Sequence, residues 1–232
     1  MSSNGDGVRR PELIVLDVNE TLSDLSPMAD AFTAAGLDAA AVEPWFAGVL
    51  RDAFALTVLG QCPSFLEIAD ASLQVRLAAR DHDDPAGAAA AIVERFAALE
   101  PHADVVPGLR ALAEIGCRIV TLSNGSARVA QALLGQTPAA EVIEHYLSVD
   151  DAGAWKPAAA AYEHALARTG VEAGAAMLVA VHPWDIAGAR AAGLRTAWIS
   201  RDGAPYPTHM PTAEIEARSL VGLAQRLDAA PR

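Results

Sequence analysis

Apolar residues fall into two rhythms along this chain. Short unbroken runs, such as Leu13 to Leu16 and Met177 to Val181, are bounded by polar or turn residues. That is the pattern of strands buried on both faces. It predicts strands over residues 12–17, 118–122, 146–149, 177–181 and 196–199. Between them apolar residues recur three and four apart, the spacing of a helix with one buried face. Helices are expected over 109–115, 127–134 and 158–169, from the H-P-W-D turn to Ala192, and near 219–227. Such alternation predicts an α/β fold, a mostly parallel sheet with helices on both sides.

One long stretch departs from the alternation. From about residue 27 to 100 only the helical rhythm is present. Trp45, Phe46, Val49, Leu50, Ala53, Phe54 and Leu56 mark one helix, and Phe65, Leu66, Ile68, Ala69 and Leu73 a second after the G-Q-C-P break. A third is expected over 86–99, and P-H-A-D-V-V-P-G closes the stretch with Pro107 at a helix start. The expected organisation is a sheet core over residues 8–24 and 101–232. A helical cap over 25–100 is inserted after the first strand.

Composition narrows the function. With 52% hydrophobic residues and a mean hydropathy of +0.22, the 232-residue chain can bury a sizeable core. Seventeen Lys and Arg against 29 Asp and Glu leave a formal net charge of -12. That balance repels phosphate backbones and argues against nucleic-acid and acidic-membrane partners. Two cysteines, Cys62 and Cys117, make no disulfide framework, and no Cys/His cluster suggests zinc. The first ten residues lack an apolar signal region and no stretch is long enough to span a bilayer. A cytoplasmic protein is the expectation.

Four polar turns follow the predicted strands: Asp17 to Thr21, Ser123-Asn124-Gly125, Lys156-Pro157, and His182 to Asp185. In an open α/β sheet ligands bind outside the carboxyl ends of the strands, which is where these turns belong. Ser123 and Asn124 supply polar donors near a helix N-terminus, a place that favours anions. Lys156 can keep the Asp17 carboxylate ionised, and Thr21 can orient it. Each residue alone has an ordinary reading. Asp17 can cap a helix, Ser123 and Asn124 can close a turn, Lys156 can be a solvated charge, and His182 and Trp184 can be packing. Their convergence at one sheet edge points to a shared active site.

In order, D-x-x-x-T, S-N-G, K-P and a late W-D resemble the motifs of the haloacid dehalogenase superfamily. L-S-V-D before the lysine, Tyr162 six residues after it, and A-W-I-S-R-D-G extend the likeness to type II L-2-haloacid dehalogenases. The resemblance implies a Rossmann-like core with a helical cap, no cofactor or metal, and commonly a homodimer. By position, Asp17 is the nucleophile, Thr21 orients it and Lys156 holds it ionised. Ser123 binds the substrate carboxylate and Asn124 the leaving halide. Tyr162, Trp184 and Asp185 complete the site, with Leu50 and Phe65 as apolar walls. The implied reaction is hydrolysis of a short 2-haloalkanoate to the 2-hydroxy acid and halide, through an ester on Asp17.

Three positions depart from that pattern. Asn19 stands where these dehalogenases usually carry tyrosine, with Glu20 after it in place of glycine. Asn19 also differs from the second aspartate of the superfamily's phosphatases, and no acid directly precedes Asp185, which disfavours magnesium-dependent phosphoryl transfer. Phe46 stands where the halide-gripping arginine follows the tryptophan. Arg51, five residues on, reads either as a displaced halide ligand or as a solvated charge on another helix face. His182 replaces an asparagine that helps place the hydrolytic water. It reads either as the general base for ester hydrolysis or as an imidazole that closes the pocket. A phosphatase and a non-catalytic small-acid binder stand as alternatives. The altered halide site also admits a preference for a smaller halide such as fluoride.

Overall fold

A computed structural model of the chain describes residues 9–230. The expected core start at residue 8, the first residues read as leaderless and the last two residues of the expected core lie outside that range in whole or part. The sheet has six parallel strands in the order β3-β2-β1-β4-β5-β6. These are β1 (Leu13–Leu16), β2 (Arg118–Ser123), β3 (His145–Ser148), β4 (Ala176–Ala180), β5 (Arg195–Ile199) and β6 (Ile215–Ala217). The first five lie within two residues of their expected positions. β6 escaped the apolar pattern because it has only three residues, with Glu216 exposed between two buried neighbours. The sheet is thus parallel throughout.

Side chains alternate between two helical layers. Ile14 and Leu16 of β1 pack with α5 (Val105–Glu114), α6 (Ala127–Gly135) and α10 (Leu220–Asp228). Leu13 and Val15 pack with α8 (Ala159–Thr169) and α9 (Pro183–Ala191) on the other face. All four are fully buried, which is why the run carries no polar position. A single turn, α7 (Val149–Ala152), separates β3 from the Lys156 loop; it is too short to leave a periodic signal.

Between β1 and β2 the chain forms α1 (Met28–Ala34), α2 (Val42–Val58), α3 (Phe65–Ala78) and α4 (Pro85–Ala97). Ser64 caps α3 in a reciprocal box with Glu67, and Asp84 caps α4. The insertion has its own apolar cluster, in which Phe32, Trp45, Phe46, Phe65, Leu73 and Phe96 interlock. Trp155 from the sheet side joins it, its indole N–H donating to the Pro63 carbonyl at 2.9 Å. The helical insertion therefore sits on the loop that carries Lys156. No helix among the described residues is long and apolar enough to cross a membrane.

Candidate active site

Strand order reverses around β1 and β4, and the loops after β1, β2 and β4 meet there. Asp17 directly follows β1, its N–H held by the Val179 carbonyl at 3.0 Å. The Thr21 hydroxyl donates to Asp17 Oδ2 at 2.6 Å while accepting the Val181 N–H at 3.1 Å, so its proton is aimed at the carboxylate. Lys156 Nζ donates to Asp17 Oδ1 at 2.8 Å and to Asp185 Oδ2 at 2.6 Å. The Tyr162 hydroxyl donates to Asp185 Oδ1 at 2.6 Å. Asp17, Lys156, Tyr162 and Asp185 are all buried.

Burial by itself would raise the Asp17 pKa. The charge of Lys156, with the Lys156 and Thr21 hydrogen bonds and the nearby His182 ring, outweighs it and holds the carboxyl below its ordinary value. Lys156 is shifted the opposite way: burial would lower it, but two flanking carboxylates raise it. Asp185 is raised by burial and by Asp17, against the pull of Lys156. Burial and Asp185 push the Tyr162 phenol well up, so it stays a hydrogen-bond donor. One ammonium between two carboxylates thus favours an ionised Asp17.

The Lys156 loop is fixed by side chains the motifs single out. Asn124 Oδ1 accepts the Lys156 N–H at 2.9 Å and its Nδ2 donates to the Lys156 carbonyl at 3.3 Å. That leaves one amide hydrogen of Asn124 for a ligand. Ser123 Oγ accepts the Gly125 N–H at 2.8 Å, which keeps its own hydrogen available. A Cβ at Gly125 would lie 3.3 Å from Ser123 Oγ and 3.6 Å from Asn19 Nδ2, so both side chains flank this glycine. Gly188 is a position the sequence reading missed. A Cβ there would stand 2.5 Å from Pro157 Cβ and from Tyr162 Oη. Only glycine lets α9 approach closely enough for Asp185 to reach Lys156.

The other side of Asp17 is formed by His182 and Glu20. His182 Nε2 lies 3.2 Å from the Asn19 carbonyl, 3.5 Å from Glu20 Oε2 and 3.6 Å from Asp17 Oδ2. Its ring is stacked between Phe46 and Trp184, with centroids 6.2 Å and 5.0 Å away. Phe46 is thus a wall of the site, in the place where the resemblance puts an arginine. Glu20 adopts a left-handed backbone, φ +62°. For an L-residue this costs about 1–2 kcal/mol, a strain that the glycine implied there by the resemblance would avoid. Burial raises the Glu20 pKa.

Other expected site residues have defined surroundings. Arg51 is no halide ligand here: its side chain is 77% exposed and pairs with its neighbour Asp52 at 2.8 Å. The five-residue offset from Phe46 turns it to the solvent face of α2. Tyr162 is fully buried and its hydroxyl goes to Asp185, the second carboxylate on Lys156. Leu50 and Phe65 are buried in the insertion's apolar cluster, and Phe65 stacks on Trp155, 6.2 Å between centroids. Trp155 carries no signal in the sequence beyond its place directly before Lys156. Trp184 is partly buried, with Lys156 Nζ 5.9 Å above its ring. Among the described residues, no group of three or more His, Cys, Asp or Glu is arranged to hold a metal.

Comparison with known proteins finds relatives over most of the chain. The chain is similar to the haloacetate dehalogenase H-2 of Moraxella sp. (strain B), 30% identical over 200 residues covering 84% of this chain and 88% of that protein. It is 26% identical over 221 residues to an (S)-2-haloacid dehalogenase of Pseudomonas sp. (strain YL), covering 94% of each. A crystal structure of a dehalogenase with an intermediate complex superposes with a TM-score of 0.86 at 26% identity, covering 95% of this chain and 99% of that one. A family model for haloacid dehalogenase-like hydrolases matches residues 11–193, and the chain belongs to that family.

Proposed function

We propose that this protein hydrolyses the carbon–halide bond of short 2-haloalkanoic acids through an ester on Asp17. The observation that carries the reading is one carboxylate with two different partners. Lys156 and Thr21 hold Asp17 ionised and oriented on one side, and His182 stands 3.6 Å away on the other. A carboxylate oxygen of Asp17 attacks C2, and the halide leaves with the bonding pair. Water then gives a proton to the unprotonated ring nitrogen of a neutral His182 while its oxygen attacks the Asp17 carbonyl carbon. Lys156 is placed to stabilise the oxyanion, and Glu20 the imidazolium. Collapse breaks the bond from that carbon to the product oxygen, which recovers the proton from His182. Asp17 is regenerated and the 2-hydroxy acid departs, inverted at C2 where C2 is chiral.

The substrate carboxylate goes to Ser123 and Asn19, and the leaving halide to the remaining Asn124 hydrogen and the aromatic walls. Phe46, Trp184 and His182 crowd the site, which supports haloacetates over longer acids and a smaller halide over a larger one. Residues 25–100 act as the cap that excludes water during displacement. A homodimer is supported by the exposed apolar side chains Val58, Leu59 and Val75 in and beside α2 and α3, and light scattering tests it.

His182→Asn should still release one halide per site from chloroacetate and then stall, with the ester on Asp17 visible by mass spectrometry. Asp17→Asn should release none. Single-turnover hydrolysis in ¹⁸O-water should label Asp17 in the wild type. Release of halide from none of fluoro-, chloro- and bromoacetate or the two 2-chloropropionates would sink the reading.

A further inference from the structure

The chain crosses between sheet and helical insertion twice, and the two crossings run side by side. The Asp24 N–H donates to the Glu100 carbonyl at 2.9 Å, and the His102 N–H to the Leu22 carbonyl at 2.9 Å. Ser23 and Pro101 face each other in an antiparallel bridge. This short ribbon grips Glu20 at both of its peptide groups. Ser23 Oγ accepts the Glu20 N–H at 3.2 Å, and His102 Nε2 lies 3.2 Å from the Glu20 carbonyl. A carbonyl can only accept, so that contact requires a proton on His102 Nε2.

The surroundings of His102 keep it in that role. Burial, and next the Arg201 guanidinium, lower its pKa against the pull of Asp24 and Asp104, which favours a neutral donor. Arg201 is itself anchored, to Asp104 Oδ1 at 2.7 Å and to the Thr21 carbonyl at 2.5 Å. Nothing in the displacement step uses His102, because its side-chain hydrogen bond goes to the Glu20 carbonyl and not to Asp17 or Lys156.

We propose that His102 is a positioning residue for ester hydrolysis: from the hinge ribbon it holds the Glu20 carbonyl, so that the left-handed Glu20 keeps its carboxylate 3.5 Å from His182 Nε2. This rests on reading Glu20 and His182 as the pair that activates water. The cleft of about 540 Å³ lined by His102, Glu20, His182, Ser23 and Arg201 leaves room for a small molecule beside the pair. It also makes the idea testable by rescue.

The experiment compares rapid-quench halide release from chloroacetate with steady-state turnover in the full-length protein. His102→Ala should keep the first halide burst near one per site, while turnover falls roughly tenfold and the ester accumulates. Added imidazole, or a donor restored by His102→Gln, should recover most of the turnover. A His102→Ala enzyme that turns over at the wild-type rate overturns the proposal. So does one that loses burst and turnover together and is restored by neither imidazole nor glutamine, because that pattern is general loop damage. Glu20→Gln and His182→Asn serve as references. If neither accumulates ester, the water-activating pair itself is wrong; if both do and His102→Ala does not, only the role of His102 fails.

Discussion

On one side of Asp17, Lys156, Asp185 and Tyr162 are completely buried and joined by hydrogen bonds of 2.6–2.8 Å. On the other, His182 and Glu20 have side chains 12% and 34% exposed and approach at 3.5–3.6 Å. The first side is saturated: every charged atom has a partner and nothing needs to move. The second is loose, reachable from a solvent-lined cleft, and depends on one strained backbone position. The contrast suits two half-reactions. Displacing halide needs a desolvated, fixed anion, whereas hydrolysing the ester needs a proton acceptor that water can reach.

The largest effect should come from emptying the saturated side. Lys156→Ala leaves Asp17 and Asp185 buried with no cation between them, and removing one partner from such a set costs about 3–5 kcal/mol. Thermal or urea unfolding would measure it. The halide burst should disappear together with turnover, since Asp17 loses the partner that keeps it ionised. A surviving burst would show that Lys156 matters only for stability.

Glu20→Gln tests the loose side. It keeps shape and backbone but removes the charge beside His182. Turnover should fall about 10- to 100-fold with the burst intact, since assistance to proton transfer is worth about 10²–10⁴ in full. Rapid-quench kinetics separates the two phases. Equal loss in both would erase the distinction between the sides.

Acid should separate them without mutation. Asp17 has a lowered pKa, so displacement persists to pH values below the ordinary aspartate range, near about 3.9. Glu20 has a raised pKa, so its carboxylate is lost above the ordinary glutamate value of about 4.3 as pH falls. Ester should therefore build up as the pH falls toward the ordinary glutamate range, before displacement fails, and mass spectrometry would follow it. Displacement failing first would reverse the assignment.

The smallest effect belongs to Arg51, which touches neither side. Arg51→Ala should change turnover less than about twofold and stability within about 0.5 kcal/mol. A large rise in KM for haloacetates would return it to the halide site.

The division between what was legible and what was hidden follows the range of the forces involved. Apolar runs such as Leu13–Leu16 predict strands because burial on both faces excludes polar residues locally. Four polar turns then had to gather at one edge, because parallel strands bring their carboxyl ends together. Asp17, Thr21, Lys156, His182 and Asp185 were found that way, and the resemblance supplied the order of the chemistry. β6 was too short to show a rhythm, and helical spacing could not tell which face of α2 meets the site. That face went to Phe46 and left Arg51 in solvent.

Pairing across distant segments was beyond reach of any local pattern. Lys156 finds Asp17 139 positions away, and Gly188 lets α9 bring Asp185 to Lys156 because a side chain there would run into Tyr162 and Pro157. His102 looks like an ordinary loop residue until the returning chain lies against Glu20. Local patterning, through hydrophobic burial and chain direction, thus specifies the sheet, the insertion and the place of Asp17 at the end of β1. Which acid, imidazole and ring surround Asp17 is decided by close packing and by hydrogen bonds between segments, which form only once the chain has folded.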